Sequence, residues 1–449
     1  MAEMKMPRFM ISATGSGCGK TTITCGILKA LMNKGLKVAA FKSGPDYIDP
    51  MFHSKVIGAK SRNLDVFMLG KETVKFLAAK NACDVNVSVF EGAMGFYDGM
   101  GKTAEASAYD LARTCDVPVI LIVNGKGAAL SVAAQIKGFK EFRQDSHIVG
   151  AILNNVNPMS YAYYKDVIEA ESGVKLLGYF PVLEGCNFES RHLGLVTAEE
   201  IGDLQAIVER LALQAEKSLD LEGLLELANS APALEYTPQN MEALGKVKLA
   251  IAQDKAFCFY YQDALDLLGE WGAELVPCSP ITDKHLPECD GLILGGGYPE
   301  LYKEKLSQNK TMLDSVKNAL QNNMPCIAEC GGFMYLTEYI EDLPMVGYLK
   351  GKCFDNKKLT RFGYITLKAK KDNMLCKRGD EIPAHEFHYW DSENTGEDFK
   401  AEKISGKSWD CVFATETLYA GYPHFHFCAN KDFAKNFYKA CLKEKKRYD

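Results

Sequence analysis

At 449 residues the chain is too long for one ordinary core, so two or three domains are expected. Its residues are 47% hydrophobic and 24% charged, as in globular proteins, and the net charge of −6 is spread without a long basic run, which argues against nucleic acid as a partner. Apolar runs such as "VPVILIV" at 117–123 are far too short to span a bilayer, no secretory signal stands before the first motif, and fifteen scattered cysteines without a CxxC pair suit a reducing cytoplasm.

In chain order, "RFMISA" (8–13) reads as a strand and "KTTITCGILKALMNKG" (20–35) as a helix closed by Gly35. Strands follow at "KVAAFK" (37–42), "VNVSVFEG" (85–92), "VPVILIVN" (117–124) and "IVGAILNNV" (148–156), with helices over 126–143 and 160–172. Such alternation predicts an α/β fold with a largely parallel sheet flanked by helices. Around 229–246 two prolines and the loss of any period mark a linker. A second series then begins. "KVKLAIAQD", "AELVPCS", "DGLILGGG" and "MPCIAE" read as strands, "YYQDALDLLGEWG" and roughly 300–323 as helices. The domains expected are 1–235 and 247–449, joined by 236–246. The basic tail "LKEKKRYD" reads as a solvated helix end.

"SATGSGCGKTTIT" leaves the first strand and opens the first helix. Gly15, Gly17 and Gly19 let backbone amides point at phosphate oxygens, Lys20 can neutralise the outer phosphates, and the Thr21 hydroxyl, followed by Thr22, can reach Mg²⁺. Thr14 stands where the usual spacing wants glycine, so this is a variant P-loop. "KSGPDYIDP" places Lys42, Asp46 and Asp49 past the second strand, and "SVFEGAMGFYDG" places Glu91 and Asp98 past the next. Ligands of open parallel sheets bind beyond the carboxyl ends of the strands, where carboxylates suit Mg²⁺. Asp46 and Glu91 are the preferred ligands, with Asp49 and Asp98 as open alternatives to solvated loop residues.

In "PCIAECGGFMYL" Cys330 follows a strand and precedes "GGFMYLTEYI", which reads as a helix. Such a strand–nucleophile–helix turn exposes a thiol whose pKa the helix N-terminus would lower, with oxyanion donors expected from the Gly331 amide and the loop at 294–300. Near the C-terminus "GYPHFHF" offers His424 and His426 as bases. "AHEFHYW" adds His385, Glu386 and His388; its spacing is not HExxH and no paired cysteines accompany it, so packed histidines are the plainer reading than zinc.

Taken together, "ATGSGCGKTT", "FKSGPDYIDP", "EGAMGFYDG", "AFCFYYQDAL", "LGGGYPEL", "AECGGFMYL", "HEFHYW" and "HFHF" resemble, in the same order, the cobyrinic acid a,c-diamide synthases, which are glutamine-dependent amidotransferases. The resemblance implies a P-loop domain of the dethiobiotin synthetase type holding Mg²⁺ through Thr21, Asp46 and Glu91, with Asn154 at the adenine. It implies a class I glutaminase domain with Cys330 as nucleophile and His426 as its base. Many such domains carry glutamate two residues past the histidine. Here that position is Cys428, and what orients the base is left open.

The implied cofactors are ATP and Mg²⁺. The implied partners are glutamine and a corrinoid, with no nucleic acid and no membrane, in the cytoplasm; a homodimer fits as well as a monomer. The implied chemistry is amidation of the a and c acetate carboxylates through an acyl phosphate. Hydrogenobyrinate and nickel-sirohydrochlorin are alternative substrates, and "AFCFYYQDAL" offers aromatics either to the macrocycle or to the core. A P-loop switch ATPase or metallochaperone with an inactive glutaminase-like domain is the more distant alternative. The early P-loop lysine of that group is missing at Gly15 and Ser16.

Overall fold

A computed structural model describes residues 1–186 and 198–445. The chain divides into two compact units, Met1–Gln239 and Asn240–Asp449. The last four residues of the basic tail, 446–449, lie outside the described residues; the part before them ends the helix Lys431–Lys445.

The first unit is built on strands β1 (Arg8–Ala13), β2 (Val38–Ser43), β3 (Lys60–Leu64), β4 (Val87–Glu91), β5 (Val119–Asn124), β6 (Ile148–Asn154) and β7 (Lys175–Phe180). They lie in the order β3-β2-β4-β1-β5-β6-β7, and every neighbouring pair is parallel. β1, β2 and β4 are buried along their whole length, as strands covered on both faces must be. Helix α1 (Lys20–Asn33) packs on the long helix Ala198–Ser218 so closely that a Cβ on Gly26 would stand 2.9 Å from the Leu211 carbonyl oxygen. The sheet order places β1, with the P-loop at its end, between β4 and β5. The carboxyl ends of β2 and β4 therefore lie beside the loop.

The span expected to be a linker is partly ordered. Leu221–Ser230 is helical, and Leu234–Tyr236 pairs antiparallel with Ala2–Met4. The helix expected over 126–143 is confined to Ser131–Glu141.

In the second unit β8 (Val247–Ala252), β9 (Ala273–Cys278), β10 (Gly291–Leu294), β11 (Cys326–Glu329) and β12 (Leu418–Gly421) form a parallel sheet in the order β9-β8-β10-β11-β12. A short antiparallel strand, Phe413–Ala414, closes its edge. A second, mostly antiparallel sheet holds the long strands Lys352–Ala369 and Glu381–Ser392 together with His424–Phe425.

Two expected helices differ. The span 300–323 breaks into Pro299–Tyr302, Lys303–Gln308 and Lys310–Gln321. The last break falls at Asn309, whose side chain donates to the carbonyls of Pro280 (2.9 Å) and Asp283 (2.8 Å). The helix after Cys330 stops at Leu336, because the Thr337 hydroxyl turns back onto the Met334 carbonyl (2.7 Å) and Tyr339–Ile340 leaves as a strand.

Candidate active site

The P-loop turns on two left-handed glycines, Gly17 (φ +73°) and Gly19 (φ +92°), the latter capping α1. Lys20 Nζ donates to the carbonyls of Gly15 (3.0 Å) and Met94, the latter a residue held at φ +50° past β4. Thr14 fits the place of the usual glycine with its hydroxyl 3.5 Å from Cys18 Sγ. Asn154 Nδ2 donates to the Cys18 carbonyl (2.9 Å) and would stand 2.3 Å from a Cβ on Gly19. Asn154 thus braces the loop from the end of β6. The residues after it, Asn155, Val156 and Asn157, line a cavity of about 230 Å³ with Gly125, Gly127 and Tyr164.

Thr21, Lys42, Asp49 and Glu91 come together at the ends of α1, β2 and β4. Thr21 Oγ1 donates to Glu91 Oε1 (2.8 Å) and reaches Asp49 Oδ2 at 3.4 Å. Lys42 Nζ bonds Glu91 Oε1 (3.0 Å) and Asp49. Asp49, not Asp46, is the second carboxylate at Thr21. Asp46 Oδ1 accepts the backbone amides of Ile48 (2.8 Å) and Asp49 (3.2 Å), so it shapes the turn that delivers Asp49, and its charge still reaches Lys42. Asp98 likewise closes its own loop by accepting the Gly95 amide (2.9 Å). His53, one helical turn past Asp49, is fully buried with Nε2 3.2 Å from Glu91 Oε2.

Burial pushes the Asp49 carboxyl up to about 6 against the pull of Lys42, with Asp46 and Glu91 adding to the rise. Burial would raise Glu91 too, but Lys42 and His53 outweigh it and hold that carboxyl well below the usual range. Burial acts to lower Lys42, and the two carboxylates overturn this and raise it. Lys20 is lowered, first by burial and then by Lys42. One ammonium is therefore shared by two carboxylates, and Glu91 keeps the charge. Glu91 Oε2 is buried with His53 Nε2 as its neighbour at 3.2 Å, in poor hydrogen-bond geometry. A hydroxyl and two carboxylates are a donor set that fits Mg²⁺, which favours oxygen and retains water and phosphate ligands.

In the second unit Cys330 stands at φ +48°, ψ −102°, between β11 and the helix Gly331–Leu336. A non-glycine residue held there costs about 1–3 kcal/mol and persists because its surroundings fix it. Its amide donates to the Gly421 carbonyl at the end of β12 (2.7 Å). The glycines around it allow contacts that no side chain would. A Cβ on Gly332 would lie 2.1 Å from the Leu294 carbonyl oxygen, and one on Gly331 3.2 Å from Gly297 N. In the 294–300 loop, the amides of Gly295 and Tyr298 are engaged by the Tyr260 hydroxyl (2.9 Å) and the Ala256 carbonyl (2.9 Å). The expected lowering of the thiol pKa is not found. Cys330 is only 7% exposed, and burial, then the Glu300 charge, push it well up. The Glu300 carboxyl itself is pushed up to about 7 by burial. The resting thiol is protonated, so attack requires a base.

The two candidate bases stand in different surroundings. His426 Nδ1 accepts the Cys428 amide (3.0 Å), its ring stacks on Tyr261 (4.8 Å), and burial pushes it down to about 3. His424 Nδ1 lies 3.4 Å from Glu329 Oε2, next to the nucleophile in sequence, and its ring edge faces Gly296, where a Cβ would be 2.6 Å from Cε1. His385 stacks on His424 (5.0 Å) and shares a hydrogen bond with the Tyr261 hydroxyl (2.8 Å). His388 is held between Glu386 (3.0 Å) and the Trp390 carbonyl and stacks on Tyr422 (4.0 Å). Among the described residues no group of three or more His, Cys, Asp and Glu is placed to hold a metal. Of the aromatics in "AFCFYYQDAL", Phe257 and Tyr261 are buried, Phe257 against Tyr335 (5.3 Å), whereas Phe259 and Tyr260 are half-buried, Phe259 against the half-buried Tyr298 (5.1 Å).

Sequence reasoning passed over Glu329, Met94 and His53. The available signals were an acid beside the nucleophile and Asp49–His53 at i, i+4.

Residues 9–192 match the family described as the CobQ/CobB/MinD/ParA nucleotide binding domain. Residues 248–432 match the CobB/CobQ-like glutamine amidotransferase domain. The chain is 40% identical over 442 residues to a cobyrinate a,c-diamide synthase of Clostridium acetobutylicum, covering 96% of this chain and 99% of that one. It is 41% identical over 441 residues to that of Clostridium tetani (96% and 99% covered) and 38% over 456 residues to that of Thermoplasma volcanium (99% of each).

Proposed function

The chain belongs to the family of cobyrinate a,c-diamide synthases, and from that premise we propose how it uses glutamine and ATP to amidate the a and c acetate carboxylates of cobyrinic acid in cobalamin biosynthesis. It is a ligase that forms C–N bonds. The observation that carries the reading is that one chain holds both a P-loop, with Thr21 bonded to Glu91, and a cysteine on a strained elbow directly after Glu329, whose carboxylate lies 3.4 Å from the His424 imidazole.

In the second unit His424 Nε2 takes the Cys330 proton, and the thiolate attacks the amide carbon of glutamine. The C–N bond breaks as the imidazolium returns the proton to the leaving ammonia. Water then cleaves the thioester to glutamate. His424 replaces His426 as the base for a tautomeric reason. A backbone amide can only donate, so neutral His426 carries its proton on Nε2 and has no lone pair there for the thiol. A carboxylate can only accept, so the Glu329 charge, 3.4 Å from Nδ1, favours the His424 proton on Nδ1 and the lone pair on Nε2.

In the first unit the P-loop amides and Lys20 hold the triphosphate, Asn154 keeps the loop in shape, and the cavity beyond Asn155 receives the purine. Thr21, Asp49 and Glu91 would hold Mg²⁺, which offsets phosphate charge when bound. A carboxylate is a poor electrophile. Its oxygen takes the γ-phosphoryl group and ADP leaves; ammonia then attacks the acyl carbon and inorganic phosphate leaves. Two rounds give the diamide. A cytoplasmic setting is part of this reading, and the fifteen free thiols support it; among the described residues no helix is long and apolar enough to cross a membrane.

Mass spectrometry of cobyrinic acid incubated with the protein, ATP, Mg²⁺ and glutamine tests the reading. A monoamide followed by a diamide is expected. Amidation of hydrogenobyrinate or nickel-sirohydrochlorin instead moves the substrate and keeps the chemistry. No amidation of any of the three, even with added ammonia, contradicts it.

A further inference from the structure

We propose that Glu329, the residue immediately before the nucleophile, positions the base and completes a Cys330–His424–Glu329 constellation. This rests on the reading of His424 as the base. The segment that carries the histidines cannot supply the orienting carboxylate itself, because "HFHFCAN" (424–430) contains no acid. The fold brings one from the neighbouring strand. Glu329 ends β11 in register with Gly421, the last residue of β12. From there Tyr422 and Pro423 carry the chain to His424, over the Glu329 side chain.

Both carboxylate oxygens are directed at this segment. Oε2 faces His424 Nδ1 at 3.4 Å, an ion-pair contact rather than a formed hydrogen bond, and Oε1 accepts the Phe425 amide at 3.3 Å. The His424 ring is fixed in two further ways. His385 stacks on it with 14° between planes, which sets the ring plane, and Gly296 packs against Cε1, which sets the edge. The remaining freedom, which nitrogen bears the proton, is biased by the Glu329 carboxylate, whose charge faces Nδ1 at ion-pair distance. Its role is the one a triad carboxylate performs, reached from the nucleophile's own strand rather than from the histidine's. Glu329 touches the imidazole and not the substrate, so it is a positioning residue.

A purely structural role, capping the Phe425 amide, is separable from this one. In Glu329→Gln the amide oxygen can still accept from Phe425, but the amide nitrogen then faces Nδ1 and favours the wrong tautomer. The full-length variant is expected to lose about 10²–10⁴-fold in glutaminase kcat, with KM for glutamine little changed. Ammonia-supported amidation and melting temperature should stay near those of the parent, and Glu329→Asp should recover part of the loss. Should Glu329→Gln melt early, the kcat of Glu329→Asp against the parent decides. A Glu329→Gln kcat within about tenfold of the parent, or an equal loss of ammonia-supported amidation, overturns the proposal. Assay of His424→Gln and His426→Gln beside it keeps the two readings apart. Activity surviving in the first and lost in the second refutes the base. Loss in His424→Gln with a fully active Glu329→Gln refutes the positioning role alone.

Discussion

Replacing Lys42 by methionine removes the one cation that bonds both Asp49 and Glu91 while keeping a chain of similar length. The side chains of Lys42 and Glu91 are 4% and 1% exposed and that of Asp49 is 13% exposed, so water cannot take over the lost contacts. Removing one partner of a buried pair costs about 3–5 kcal/mol. For a unit of this size that corresponds to a fall of about 6–20 °C in melting temperature. The loss should depend on pH, and its sign follows from Asp49. Its folded pKa, about 6, lies above the unfolded value, so its contribution is fully present below the unfolded pKa and is lost as pH rises through 6. Without the ammonium the ionised carboxylates are costlier still, so the deficit should be larger at pH 8 than at pH 5. Saturating Mg²⁺ should narrow it, because a bound cation stabilises the folded state by mass action. Scanning calorimetry at both pH values, with and without MgCl₂, measures all of this. A variant melting within about 2 °C of the parent at pH 8 would refute the charge balance described for this site.

Three further outcomes follow from the same geometry. Gly332→Ala places a Cβ 2.1 Å from the Leu294 carbonyl oxygen, a backbone atom that cannot rotate away, and should destabilise the second unit by about 1–3 kcal/mol or more; an unchanged calorimetric transition would contradict it. His426→Gln should retain far more glutaminase activity than His424→Gln, since a glutamine oxygen can still accept the Cys428 amide; steady-state glutamate release compares them. Asn154→Ala should weaken ATP binding roughly fivefold, the worth of about one hydrogen bond of 1 kcal/mol to the P-loop, as read by isothermal titration.

The alternating strands and helices of both units were legible because buried parallel strands are continuous apolar runs and the helices between them are amphipathic. The second sheet was not, because Lys352–Ala369 carries many charges and is interrupted by bulges that break its alternation. The helix after Cys330 was overextended because nothing in "GGFMYLTEYI" announces that Thr337 folds its hydroxyl back. The P-loop could be read directly, since its glycines and Lys20 are local in sequence. Asp46 and Asp49 could not be ranked. They lie three residues apart at the start of a helix, and only the cap that Asp46 provides decides which one faces Thr21. His424 and His426 posed the same difficulty at a spacing of two, which puts both on one face of a strand; the discriminating group, Glu329, arrives from almost a hundred residues away.

The most direct measurement supplies cobyrinic acid with ¹⁸O in its a and c carboxylates, together with glutamine labelled with ¹⁵N in its amide, ATP and Mg²⁺. The account predicts a diamide carrying two ¹⁵N atoms and one ¹⁸O in each inorganic phosphate released. A labelled diamide with unlabelled phosphate would contradict the acyl phosphate, and phosphate release without ¹⁵N in the corrinoid would contradict the coupling of the two activities.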